Sequence, residues 1–174
     1  MKIAIVALAL MVGGATAYAQ QEDEKAEAAE AAQNAPALAA ALKAAAVSLA
    51  RGLQASESQG KPISGKFEIE DGKLQLSVYT MKGNSFFEVL VDYKTGKVMK
   101  TEPITEADDL AAAKQQASAM AKTKRTLREI VTKVEKANAG YRAVSVTPEM
   151  EGPASKVDVG LLKGSESKKV EEAL

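Results

Sequence analysis

Residues 66–93 read KFEIEDGKLQLSVYTMKGNSFFEVLVDY, and this stretch decides the fold. Lys66 to Glu70 alternates polar and apolar, with Phe67 and Ile69 on one side. Successive strand side chains point to opposite faces, so this pattern marks a sheet with one buried and one wet face. Asp71-Gly72 supplies a two-residue hairpin turn, because both central positions of a type I′ turn need positive φ. Leu74, Leu76 and Val78 continue the alternation, Gly83-Asn84 makes a second tight turn, and Phe87, Val89, Val91 and Tyr93 alternate again. Centring the first turn on Asp71-Gly72 pairs Ile69 with Leu74 and Phe67 with Leu76. Centring the second on Gly83-Asn84 pairs Val78 with Val89, Leu76 with Val91 and Leu74 with Tyr93. Every inner apolar residue then meets another, and a slip of one residue would turn the set to the wrong face. The stretch therefore predicts an antiparallel meander, extended by a turn at Lys94-Thr95-Gly96 and a short fourth strand, Lys97 to Thr101, with Pro103 ending the sheet.

Helices flank this meander. Upstream, Asn34-Ala35-Pro36 has the composition of a helix start, and Leu38, Leu42, Ala45, Ala46, Leu49 and Leu53 recur at spacings of three and four. One helix to about Glu57 is predicted, stopped by Gly60 and Pro62. Downstream, Thr105 with Glu106, Asp108 and Asp109 opens a second helix whose acidic start suits the helix dipole. Its stripe is Leu110, Ala113, Ala117, Met120, Leu127, Val131 and Val134, with a slip in phase near Lys124, and Gly140 closes it. Tyr141 to Thr147 and Lys156 to Leu162 alternate again, joined by a loop that holds Pro148 and Pro153. Lys169 to Leu174 reads as a third strand by analogy with the first meander, although Val170, Ala173 and Leu174 also have helical spacing. The predicted fold is α+β: two tandem α-β-β-β units, residues 36–104 and 105–174, with helices packed on one sheet face. Five of the six aromatic residues after position 19 lie between Phe67 and Tyr93. The first unit is therefore expected to hold most of the burial, with the second leaning on it.

The beginning of the sequence reads as an address. Lys2, the apolar run Ile3 to Val12, Gly13-Gly14 and the small-residue site Ala17-Tyr18-Ala19 describe a secretory signal peptide over residues 1–19. The apolar run is shorter than the roughly 20 residues of a membrane span, and no Cys follows for lipid attachment. The expected location is periplasmic or secreted, with no stable membrane insertion after cleavage. Residues 20–35 form an acidic Ala/Glu-rich arm. The chain has no His and no Cys, so disulfides, thiolate nucleophiles, Cys-ligated metals and His acid/base chemistry are excluded. Its 23 basic and 23 acidic residues cancel, which argues against a nucleic-acid partner. The expectation is a non-enzymatic protein without catalytic residues, metal or cofactor.

Val91-Asp92-Tyr93-Lys94-Thr95-Gly96-Lys97-Val98 resembles the closing turn of the PepSY domain family, apolar–Asp–x–x–Thr-Gly-Lys–Val. Phe87-Glu88-Val89-Leu90-Val91 is similar to that family's penultimate strand, and Glu70-Asp71-Gly72 to its first hairpin. The resemblance covers about residues 38–103; residues 107–174 look like a degenerate second copy that lacks the Asp-x-x-Thr-Gly-Lys turn. It implies an exported α+β domain that binds or inhibits an envelope peptidase.

Four candidate regions remain. Asp92 with Lys94-Thr95-Gly96 reads as a capped turn. Glu68, Glu70, Glu88 and Asp92 match no calcium loop, and their alternation with Lys66, Gln75 and Ser77 describes a wet face. Lys122, Lys124, Arg125 and Arg128 form a basic run on the second helix. Tyr79, Met81, Phe86 and Leu90 fall on the outer sheet face, where Met81 meets Phe86. An apolar cluster there marks a protein or peptide partner, a contact between two copies, or packing of the second unit. The first of these makes the protein a binding module for a partner such as a peptidase. The second makes it a self-associating structural protein of the envelope.

Overall fold

The computed structural model describes residues 35–174. The signal sequence, the arm before Ala35 and the Asn34 cap lie outside the described residues. The chain is α+β. A helical stretch at residues 35–42 (α1) precedes α2 (Leu49–Ser56), then β1 (Lys61–Glu70), β2 (Lys73–Lys82), β3 (Ser85–Val91) and β4 (Val98–Pro103). Helices α3 (Ala107–Met120) and α4 (Leu127–Ala137) follow, and then β5 (Arg142–Glu151), β6 (Ala154–Lys163) and β7 (Glu166–Ala173).

The turn chemistry sets the strand pairing. Asp71 and Gly72 take φ of 49° and 74°, and the hairpin pairs Ile69 with Leu74 and Phe67 with Leu76. Around Gly83-Asn84, Val78 faces Val89 and Met81 faces Phe86. Residues 166–173 are strand, and Val170 pairs with Val159. The two meanders join through β1 and β5 into one seven-stranded antiparallel sheet of order β4-β3-β2-β1-β5-β6-β7. The joining ladder is short: Gly65 pairs with Val146 and Lys66 with Ser145. One apolar cluster runs through both meanders on the inner face. It contains Leu76, Val78, Val89 and Val91 from the first, Val146, Val157, Val159 and Leu161 from the second, and Leu49, Leu53, Leu127, Ile130, Val131 and Val134 from the covering helices. At the seam, a Cβ added to Gly65 would lie 3.3 Å from Leu53 Cδ2, so glycine there lets α2 sit close on the junction.

Four features differ from the sequence expectation. First, the upstream helix is broken. Residues 43–45 make three-residue turns, the Val47 N–H donates to the Tyr93 carbonyl at 3.0 Å, and Ser48 restarts the helix by accepting from the Arg51 N–H at 3.2 Å. Second, the slip near Lys124 is a break between α3 and α4. Thr126 caps α4, and Glu129 returns the bond in a capping box. Third, the connection expected at 147–156 is strand up to the Gly152-Pro153 turn, with Pro148 opposite Val157. Pro148 lies beyond the β1 ladder, where β5 is locally an edge, a setting that tolerates proline. Fourth, the helices do not all lie on one face: α1, α2 and α4 cover the inner side, while α3 packs against β5, β1 and β6 and joins a cluster with the outer-face residues Tyr79 and Phe86. Ser64 Oγ donates to Gln116 Oε1 at 2.7 Å and Lys61 Nζ to the Met120 carbonyl at 3.4 Å, fixing α3 to the start of β1.

Candidate functional site

Strand parity puts Tyr79, Met81, Phe86 and Leu90 on the outer face, and the structure divides them. Tyr79 is 4% exposed and Phe86 8%; together with Ile63, Ile104 and Ala113 they form a second apolar cluster, against which Met81, Leu110 and Ala117 pack. The side chains from α3 supply that cover. The candidate patch is thus brought together, but three of its members belong to a cluster shared with Leu110, Ala113 and Ala117 of α3, which leads into the second meander. Leu90 alone stays clear of this cluster. It lies opposite Ser77 and Lys100, half-buried on the open part of the outer face.

Around Leu90 the outer face is charged and internally paired. Lys66 Nζ lies 2.7 Å from Glu68 Oε2, and Ser77 Oγ donates to Glu68 Oε1 at 3.1 Å. On β4, Lys100 bridges to Glu102 at 2.7 Å. Glu88 is different: opposite Glu102 and Tyr79 in register, it is only 5% exposed. Burial pushes its carboxyl above the ordinary range, partly offset by the nearby Ser77 hydroxyl. The Tyr79 hydroxyl is buried without a hydrogen-bond partner, and burial, with the nearby Glu88 carboxylate, raises its pKa. On the second meander, Lys169 reaches Asp158 at 3.0 Å and Lys156 reaches Glu171 at 3.3 Å. Among the described residues, no group of three or more acidic side chains is placed to hold a metal ion.

The other candidates are structural in their contacts. Asp92 Oδ1 accepts from the Lys94 and Thr95 N–H groups at 2.7 and 3.0 Å, which holds its pKa low, and Gly96 closes the turn at φ 73°. Glu70 is half-buried beside the hairpin turn and pairs with Lys73. In the basic run, Arg125 pairs with Glu172 at 3.5 Å and donates to the Ala173 carbonyl, and Arg128 lies 3.7 Å from Glu57. These contacts tie the start of α4 and the connection before it to β7 and to the end of α2.

Sequence reasoning missed Arg142. It opens β5, and its Nη1 donates to the carbonyls of Leu42 and Ala45 at 3.2 and 3.3 Å, its Nη2 to that of Val47 at 2.5 Å. Its guanidinium lies 5.0 Å from the Phe67 ring centroid. No local signal marks it, because its partners are about a hundred residues away in sequence.

Comparison with family models, with curated proteins and with solved structures returned no match. No helix among the described residues is long and apolar enough to cross a membrane.

Proposed function

We propose that the protein is an exported, non-catalytic binding module whose working surface is the open part of the outer sheet face around Leu90. The observation that carries this reading is the unequal cover of the two faces. Among the described residues, three helices close the inner side, whereas on the outer side α3 shares the cluster at the Tyr79–Phe86 end and leaves Leu90, opposite Ser77 and Lys100, outside it. A half-buried aliphatic residue on a face that also carries the Lys66–Glu68 and Lys100–Glu102 pairs offers a partner apolar contact and polar contacts around it, the usual anatomy of a protein interface. The PepSY resemblance of Val91 to Val98 supports a peptidase as the partner, and the signal-like residues 1–19 support an encounter outside the cytoplasm. Chemistry on the outer face would have to use carboxylates or lysines, since the chain has no His or Cys.

A photo-crosslinking side chain placed at Leu90, in cells that export the protein, tests the reading. Capture of one discrete protein from Leu90, but not from Lys114 on α3, is the expected result. Equal labelling from both positions, or none from Leu90, removes the outer face as the working surface.

A further inference from the structure

We propose that the acidic arm, residues 20–33, docks in cis on the exposed side of α4. This inference does not depend on the outer-face reading.

The receiving surface is basic for structural reasons. Along the connection before α4 and α4 itself, Lys122, Lys124, Arg125, Arg128, Lys133 and Lys136 stand against Glu129 and Glu135, six positive charges and two negative, a net of +4. Both acids are turned to backbone donors: Glu129 Oε2 accepts from the Thr126 N–H at 2.8 Å, and Glu135 Oε1 accepts from the Ala143 N–H at 2.8 Å. Arg125 and Lys133 share the single carboxylate of Glu172, at 3.5 and 2.6 Å. Arg128 has one distant partner in Glu57. Among the described residues, Lys122, Lys124 and Lys136 form no ion pair, and all three are exposed. Arg128, Glu129, Thr132, Lys133 and Lys136 line an open groove along this side of the helix.

The arm matches this surface in charge. Glu22, Asp23, Glu24, Glu27 and Glu30 against Lys25 give five negative charges and one positive, a net of −4. It joins the described structure at Ala35, on the side of the sheet that α4 covers. Ala35 is 2% exposed in the same inner-face core that holds Leu127, Ile130, Val131 and Val134 of α4. Fourteen residues reach up to about 45 Å, whereas the 11 residues of α4 span about 16 Å. A tethered segment meets its site at an effective concentration of about 1 mM, enough to favour it over an anionic surface encountered by diffusion.

Carbodiimide crosslinking of the purified chain, with the linked peptides mapped by mass spectrometry, tests the proposal. Links from Glu22–Glu30 to Lys122, Lys124, Lys133 and Lys136 are expected at low salt, with at least a fivefold loss at about 0.5 M NaCl, where screening is short-ranged. In a mixture of light and isotope-labelled chains, each link should join peptides of one isotope. Arm links spread evenly over surface lysines such as Lys73 and Lys97 overturn the proposal, as do links that join two isotopes, which would mean docking on a second copy. A variant with Glu22→Gln, Asp23→Asn, Glu24→Gln, Glu27→Gln and Glu30→Gln should bind phosphatidylglycerol vesicles about tenfold more tightly, because the basic side is uncovered. Equal vesicle binding by the two chains also overturns it.

Discussion

Replacing Arg142 with Ala should cost the chain about 3 kcal/mol. The guanidinium satisfies three carbonyls, of Leu42, Ala45 and Val47, at the bend between α1 and α2. Hydrogen bonds to a charged donor contribute about 1.5–3 kcal/mol each when buried. Here the side chain is only partly buried, so water replaces part of what is lost, and the lower end of that range for two of the three bonds is the safer figure. Loss of the contact with Phe67 removes a further ~0.5 kcal/mol or less. A loss of 3 kcal/mol lowers the melting temperature of a chain this size by roughly 6–12 °C. Urea unfolding, followed by circular dichroism, reads the same change as a lower midpoint at constant slope. Arg142→Lys discriminates the cause: an ammonium keeps the charge but lacks the planar fork that reaches several carbonyls at once. Lys at 142 should therefore recover less than half of the loss. An Ala variant within about 1 kcal/mol of the parent, or a Lys variant equal to it, would refute the claim that Arg142 locks the bend.

Three further outcomes follow from the same geometry. Phe86→Ala should destabilise by about 3–4 kcal/mol, the cost of a large buried truncation, and should raise amide exchange across α3 first, because Phe86 lies in the cluster that α3 covers. Glu88→Gln should stabilise the protein at pH 7. The folded carboxyl titrates above the ordinary glutamate value of 4.5, so the folded state holds the proton more tightly and stability falls as pH rises past that value. The amide keeps the shape of the side chain without the buried charge, and its advantage in thermal melts should vanish below the ordinary value; a constant advantage at all pH would contradict this. Thr126→Ala should cost about 1 kcal/mol, the usual value of a lost N-cap, seen as faster amide exchange in the first turn of α4 with α3 unchanged.

The strands were the most legible part of the chain. Alternation at Phe67, Ile69, Leu74, Leu76 and Val78, with turns at Asp71-Gly72 and Gly83-Asn84, fixes the register without reference to anything distant. The helix breaks were partly legible. Thr126-Leu127-Arg128-Glu129 spells a capping box, and the phase slip at Lys124 is its consequence. Ser48 precedes α2 as a plain cap, but the alanines before it fit a continuous helix equally well. What stops that helix is the Arg142 fork and the Val47 bond to Tyr93, neither of which local spacing can show. At the candidate site the parity of Tyr79, Met81, Phe86 and Leu90 was readable, and their cover was not. Similarly, Glu88 looks like any acid on a wet strand, and its burial depends on the neighbours that crowd around it.

By itself, then, the sequence determined the register of the first meander, which of its faces is apolar and where its two hairpins turn, because those are contacts between near neighbours set by side-chain period and turn backbone. Only the tertiary structure decided how the two meanders meet, through a two-pair ladder between β1 and β5, and which part of the outer face α3 covers. Those choices depend on the shape and area that remote segments present to one another, and no periodicity records it. The result moves the candidate surface from Tyr79 and Phe86, now in the core beneath α3, to the open strip around Leu90.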